Sequence, residues 1–262
     1  MISVIIITKN EALNIQACLE SVKWADEIII VDAFSEDQTL AIVKNYTDKI
    51  FIREWQGYGN AKNYAIEQAS GNWILSVDAD ERITEVLREE IVTMIKTDAF
   101  CAYRLPRLTY FCGKPLRFGG CYPDWQTRLF KKNYGKFDEA PVHESLIITR
   151  ASIEGIEGFG YLRNHLLHYS YSSITEYWER SNKYSSLAAQ KKFTKGKKFY
   201  SYHFFSFFWG IFHRLFIKLG ILDGLPGIFY HVFSAMSSFI RYAKLWELYQ
   251  ISELNEHKAR KR

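Results

Sequence analysis

The chain opens with Ile2-Ser3-Val4-Ile5-Ile6-Ile7, a β-branched apolar run too short for a helix, which predicts a buried parallel strand. Asn10-Glu11-Ala12-Leu13 then opens a helix whose apolar positions Ile15, Leu19 and Val22 recur at helical spacing. Glu27-Ile28-Ile29-Ile30-Val31-Asp32 reads as a second buried strand, ending in a carboxylate. Ser35, with Gln38 three residues on, makes a capping-box pattern that predicts a further helix. Residues 49–52 read as a third strand, 62–68 as a helix and 73–77 as a fourth strand. Such alternation predicts βαβ units and an α/β fold with a mostly parallel sheet. Asp32, Asp78 and Asp80 then fall at strand carboxyl ends, where open α/β sheets bind ligands.

From about Phe100 to Thr149 the texture shifts. The short apolar pieces 101–105, 127–130 and 145–148 are broken by Gly and Pro, which predicts extra sheet and long loops suited to shaping a pocket. A helix is expected over 174–192. Two aromatic-rich helices follow, around the turn at 220–227. Ser206, Gly210, His213, Arg214 and Lys218 form a narrow polar stripe on the first, as do His231, Ser234, Ser238 and Arg241 on the second. A membrane-spanning helix needs about 20 apolar residues with few charges, and His213, Arg214 and Lys218 argue against one. The faces suit the plane of a bilayer interface, packing on each other, or a dimer contact.

Composition adds little to the fold and something to the setting. With 262 residues, 24% of them charged and 48% hydrophobic, the chain is an ordinary folded protein. The net charge of +5 is modest and gathers at Lys191-Lys192, at Lys195, Lys197 and Lys198, and in the tail 257–262. These clusters suit an anionic membrane surface; nucleic acid is not required. The four cysteines show neither a C-x-x-C pair nor zinc spacing, so reduced thiols are expected. No signal peptide is visible, and a location on the cytosolic side is expected.

The chemistry centres on Asp78-Ala79-Asp80. Two carboxylates two residues apart share a strand face, and a bend after Val77 would let both converge on one ion. Mg²⁺ and Mn²⁺ favour oxygen ligands and bridge carboxylates to phosphates. Other motifs fail. Gly57-Tyr58-Gly59 is followed by Lys62 where a dinucleotide fingerprint needs its third glycine. No phosphate loop, EF-hand, zincin helix or G-x-S-x-G elbow is present. His165 and His168, three apart, lack a third ligand nearby in sequence.

Four motifs in order, Val4–Glu11, Val31–Thr39, Asn60-Ala61-Lys62-Asn63 and Asp78-Ala79-Asp80, resemble family 2 glycosyltransferases of the GT-A fold. Gln126–Phe130, Val142-His143-Glu144, His168-Tyr169-Ser170 and Leu222-Asp223-Gly224 resemble one branch, the bacterial enzymes that add glucose to the inner-core heptose of lipopolysaccharide or lipooligosaccharide. One departure stands out: Ala33-Phe34 occupy positions where the family often has Asp or Ser and then Gly.

The resemblance implies a Rossmann-like GT-A domain with a nucleotide-sugar-binding half over 1–98 and an acceptor half over 99–172. A C-terminal aromatic-rich helical appendage over 173–262 would be membrane-associating. It implies a nucleotide-sugar donor such as UDP-glucose near Thr8, Asn10, Glu11 and Asp32, with Asp78 at the ribose or metal. Lys62 and Arg128 would contact phosphate or base. Asp80, with Asp78 and His168, would hold a divalent cation, Mg²⁺ or Mn²⁺, on the diphosphate. Glu144 is the expected base, with Asp138 and Asp124 in reserve. The acceptor would be a glycolipid and the enzyme peripheral on the cytoplasmic face of the inner membrane. Two rival readings are a sugar nucleotidyltransferase, whose Gly-rich basic loop after strand one is missing here, and a non-catalytic membrane scaffold.

Overall fold

The computed structural model describes residues 1–138, 145–148 and 157–259. Contacts divide the chain into two compact units, Met1–Leu108 with Pro123–His168, and Thr109–Tyr122 with Tyr169–Arg262.

The elements run β1 (Ile2–Thr8), α1 (Ile15–Val22), β2 (Glu27–Asp32), α2 (Thr39–Val43), β3 (Ile50–Ile52), α3 (Tyr58–Gln68), β4 (Trp73–Ser76), β5 (Glu81–Ile83), α4 (Glu85–Thr97), β6 (Phe100–Phe111), β7 (Lys114–Pro115), β8 (Asp124–Lys131), β9 (Gly135–Phe137), β10 (Leu146–Ile148), β11 (Glu157–Tyr161) and β12 (Leu166–Tyr171). The main sheet has the order β3-β2-β1-β4-β8-β6-β12-β5. β1 pairs in parallel with β2 and β4, and β2 with β3. β8 then runs antiparallel to both β4 and β6. The expected α/β architecture, a mixed, mostly parallel sheet flanked by helices with a helical C-terminal region, is the one observed.

The apolar runs are continuous because the first strands are covered on both faces. Val4, Ile6, Ile30 and Leu75 pack with Ile15 and Leu19 of α1 and with Leu87 and Ile91 of α4. Ile5, Ile29 and Ile74 turn the other way onto Ala65 and Ile66 of α3. Each fully buried Ile or Leu contributes about 1.5–3 kcal/mol of transfer free energy, so this double cover dominates the stability of the parallel half. It holds the strand ends rigidly in place.

The capping box is a correction. The N-cap position of α2 is Gln38, without a side-chain cap bond, and the Ser35 hydroxyl donates instead to Asp32, at 2.6 Å. A strand-end carboxylate three residues back competes successfully for a hydroxyl that sequence spacing assigns to the helix. β6 is also far longer than the apolar piece at 101–105, running twelve residues through Pro106 and pairing with β8, β11 and β7 along its length.

In the second unit α5 (Ile174–Thr194) is capped by Ser173, whose hydroxyl accepts from the Glu176 N–H at 3.1 Å. α6 (Tyr202–Phe212) continues through a π turn, His213–Ile217, and a 3-10 turn, Gly220–Asp223, into α7 (Gly224–Ala259). Phe111, Leu116 and Tyr177 form its small core with Tyr230 and Phe233. His231, buried at 1% exposure, packs against two glycines. A Cβ added at Gly119 would stand 1.8 Å from its Nε2, and one at Gly220 2.4 Å from its Cδ2.

Candidate functional site

β1 and β2 lie in register, with Thr8 opposite Asp32, so their ends reach the sheet rim together. The Thr8 hydroxyl donates to Asp32 at 2.7 Å, and the Ser35 N–H donates to the other carboxylate oxygen at 2.7 Å. The loops beyond are cross-linked. The Asn10 N–H donates to the Ser35 hydroxyl and the Asn10 side-chain oxygen accepts from the Glu36 N–H, both at 2.8 Å. The Glu11 N–H donates to Thr39 at 2.8 Å, and the Glu11 carboxylate accepts from Asn14 at 3.1 Å. Asn10 and Phe34 both take φ of 56°, a left-handed conformation that Asn tolerates well and Phe poorly. Glycine, expected at position 34 from the resemblance, would meet no steric penalty there, so the departure noted in sequence leaves Phe34 strained.

Residues 78–81 form one turn after β4, closed at both ends. The Glu81 N–H donates to the Asp78 carbonyl, and the Asp78 N–H donates to the Glu81 carboxylate, each at 2.9 Å. Arg82 braces the outside by donating to the Ala79 carbonyl at 2.9 Å and the Asn14 carbonyl at 2.8 Å. The turn aims its two aspartates differently. Asp78 points inward, where Lys62 of α3 sits 3.0 Å from one oxygen and Arg128 of β8 holds the other. Asp80 faces His168, with 3.3 Å between Oδ2 and Nε2.

Register accounts for these meetings. Opposite β6, Tyr103 pairs with Leu129 and Arg104 with Thr127, so Arg128 is an extra, bulged residue. A bulge re-aims its side chain, and here the guanidinium reaches Asp78 and, at 2.6 Å, Glu81. β12 pairs antiparallel with β5, placing His168 opposite Glu81 and hence beside Asp80.

The charges form a chain. Glu81 is fully buried and also meets Arg107 at 3.5 Å, and Arg107 binds Asp124 at 2.6 Å. Lys62, Arg128 and Arg107 thus alternate with Asp78, Glu81 and Asp124, three cations against three anions. Burial works to raise the Asp78 carboxyl, but Arg128 and Lys62 outweigh it and hold the group far below the ordinary carboxylate range. Burial likewise works to neutralise Arg128, and Asp78 and Glu81 more than offset it. Asp78 and Arg128 therefore stay ionised, and the inward oxygens of Asp78 are occupied by cations.

Among the residues expected in the site, Lys62, Asp78 and Arg128 come together, as do Thr8 with Asp32 and Asp80 with His168. Asp124 is committed to Arg107 and, at 2.8 Å, to Gln126. Asp138 accepts from the Ser145 N–H at 3.0 Å. Glu144 lies outside the described residues. Glu81 and Arg107 were not singled out in sequence; a charged residue locked between Asp80 and the apolar Ile83 was the available signal for the first, and nothing marked the second.

Among the described residues no three His, Cys, Asp or Glu side chains gather as a ready-made metal cage. Asp80 nonetheless supplies a hard carboxylate oxygen of the kind that Mn²⁺ and Mg²⁺ favour, and His168, 3.3 Å away, an imidazole nitrogen that fits Mn²⁺ better than Mg²⁺.

Residues 3–139 match the family described as Glycosyl transferase family 2. The lipopolysaccharide core biosynthesis glycosyltransferase LpsC of Rhizobium meliloti is 30% identical over 256 residues, covering 94% of this chain and 92% of LpsC. An uncharacterized glycosyltransferase of Rickettsia felis is 32% identical over 257 residues, covering 94% and 89%. The crystal structure of S. aureus TarS 1-349 in complex with UDP aligns over 96% of this chain and 91% of that one, at 15% identity and a TM-score of 0.44. Glucosyl-3-phosphoglycerate synthase from Mycobacterium tuberculosis, with Mn²⁺ and UDP-glucose, aligns over 42% and 44% at 18% identity and a TM-score of 0.36. By the family match and by relatives that share nearly its whole length, this chain is a member of glycosyl transferase family 2.

Proposed function

We propose that this glycosyltransferase is a metal-dependent, inverting hexosyltransferase that moves glucose from UDP-glucose onto a heptose of a lipopolysaccharide or lipooligosaccharide core. The observation that carries the reading is the pair of buried cations, Lys62 and Arg128, set on Asp78 at the sheet rim beside Asp80 and His168. A departing diphosphate gains negative charge as its bond to the anomeric carbon breaks, and preorganised cations in a water-poor setting stabilise that change. The name and near-full-length similarity of LpsC support the lipopolysaccharide-core acceptor.

In this reading Thr8, Asn10, Glu11 and Asp32 line the nucleoside end, where the cross-linked loops hold directional polar groups still. Lys62, Arg128 and Asp78 lie toward the diphosphate. Asp80 and His168 would hold the divalent ion, which supplies charge neutralisation to the leaving group when bound. The acceptor hydroxyl attacks the anomeric carbon from the side opposite the diphosphate. A C–O bond forms as the sugar–phosphate bond breaks, and the hydroxyl proton passes to a carboxylate, for which Glu144 is the proposed base and Asp138 the reserve. The acceptor is lipid-linked, so the enzyme works at a membrane surface, peripherally on the cytoplasmic face.

The test is UDP release and product mass with purified protein, UDP-glucose, Mn²⁺ and deacylated core oligosaccharide. Transfer with inverted anomeric configuration is expected. Asp80→Ala should lower kcat at least about a thousandfold in a folded protein, and near-normal turnover would refute the metal role. Glu144→Gln should retain donor binding and lose most of kcat; unchanged kcat would move the base elsewhere.

A further inference from the structure

Within the second unit, the helix pair of α6 and α7 buries several polar side chains and exposes aromatic ones. Its polar groups turn inward: Arg214 of the π turn donates to Ser234 of α7 at 2.7 Å, and His203 and His231 are buried. Gly210 of α6 faces Ala235 of α7, where a would-be Cβ would stand in ordinary van der Waals contact at 3.8 Å. The aromatic side chains of α6 turn outward instead. Phe205 is 75% exposed, Phe208 65% and Trp209 61%, and Phe212 and Phe216 continue the same face at helical spacing. Leu222 and Leu225 extend it past the turn. An aqueous surface does not sustain an apolar face of this length, because its burial in a neighbouring phase is strongly favourable.

Three observations identify the covering phase. Lys191, Lys195, Lys197 and Lys198 are all exposed in the segment leading into α6, and Lys218 is exposed at its far end. Exposed Tyr200 and Tyr202 sit between the lysines and the phenylalanines, the order of charge, amphipathic ring and hydrocarbon found across a membrane interface. Among the described residues no single helix is long and apolar enough to cross a membrane, and Tyr202–Ile217 is bent by 72° against Gly220–Asn255. At about 1.5 Å per residue the first arm rises about 24 Å, short of the ~30 Å hydrocarbon core, and the bend turns the chain away.

We infer that α6, the two turns and the start of α7 form a wedge that enters one leaflet of an anionic bilayer without crossing it. The Phe205–Phe216 face lies among acyl chains and the Lys191–Lys198 segment lies on the headgroups. His231, seated on Gly119 and Gly220, keeps the turn closed so that the bend survives insertion. This deepens the membrane-surface reading above and rests on it for the choice of partner.

The test uses the full chain and vesicles, with neither donor nor acceptor sugar present. Flotation with phosphatidylglycerol/phosphatidylcholine vesicles is expected. Lipids brominated near the middle of the acyl chain should quench tryptophan emission, and the quenched component should vanish in Trp209→Phe. Lys197→Gln with Lys198→Gln should lower partition onto anionic vesicles about thirtyfold, from about 1 kcal/mol for each lysine. Phe205→Ser with Phe208→Ser should abolish flotation while far-UV circular dichroism stays unchanged. A chain that stays unbound and dimeric by light scattering overturns the wedge in favour of a self-association face. Binding that is equal on neutral vesicles overturns its electrostatic half. Failure to transfer glucose while flotation persists counts against the transferase reading alone.

Discussion

Glu81 offers the sharpest test of how the rim is organised. Its carboxylate is fully buried and accepts from Arg128 at 2.6 Å and from the Asp78 N–H at 2.9 Å, with Arg107 at 3.5 Å. Glu81→Gln keeps the shape and one acceptor oxygen but removes a charge. The six-member chain then holds three cations against two anions. A charge pair about 4 Å apart is worth about 4 kcal/mol at an effective dielectric of 20, and removing one partner of a buried pair costs about 3–5 kcal/mol. The retained amide oxygen offsets part of this, so a local loss of about 3 kcal/mol is expected. Native-state hydrogen exchange reads it directly: β4, β5 and β8 amides should exchange about a hundredfold faster, since about 1.4 kcal/mol is a factor of ten. Amides of α5 serve as the internal control. On the proposed role of this rim in holding the donor, donor affinity should also fall, while Arg107→Met in the Glu81→Gln background adds little further loss. Unaltered exchange in β4 and β8 would refute the argument that this charge chain braces the turn.

Gly119→Ala should lower the melting temperature sharply, through a left-handed φ of 69° and a clash with His231, by about 3 kcal/mol in all; Gly119→Ala with His231→Ala should recover part of it. Burial raises the Glu27 carboxyl, but Lys49, Ser3 and Ser70 outweigh it and leave it at about 2, below its ordinary 4.5. Its stabilisation is therefore complete above about pH 4.5 and is lost as pH falls toward about 2. Acid titration by circular dichroism should show that slope, flattened in Glu27→Gln. Burial pushes the His231 imidazole down to about 4, helped by Arg214 and opposed by Asp223. Its contribution is full above about pH 6.5 and fades as pH falls toward about 4, which near-ultraviolet circular dichroism of wild type and His231→Asn would separate. Cys112 is exposed, whereas Cys18 and Cys101 are buried with thiols pushed up chiefly by burial. A thiol reagent should modify Cys112 first, and Cys18 only on unfolding.

Chain order and apolar pattern alone carried much of this protein. The runs at Ile2, Glu27 and Trp73 are strands because β-branched side chains suit a sheet covered on both faces, and that physics is local. So is the placement of Asp32, Asp78 and Asp80 at strand ends. What the pattern misassigned or omitted is non-local. Ser35 looks like a helix cap because spacing sees three residues ahead and not the carboxylate of Asp32 folded back on it. The aspartates of 78–80 look like a matched pair, yet one turn sends Asp78 to Lys62 and Arg128 and leaves Asp80 facing His168. That division depends on a bulge at Arg128 and on the register of β12 with β5, between residues far apart in the chain. Glu81 and Arg107 join the cluster for the same reason. The aromatic helices, too, were visible as helices in the pattern, but only packing decided that Arg214 and His231 turn in and Phe205, Phe208 and Trp209 turn out. Local sequence sets which elements form, since propensity and periodicity act within a few residues. Pairing register, bulges and helix closure set which side chains meet, and these are settled only when distant segments bury one another.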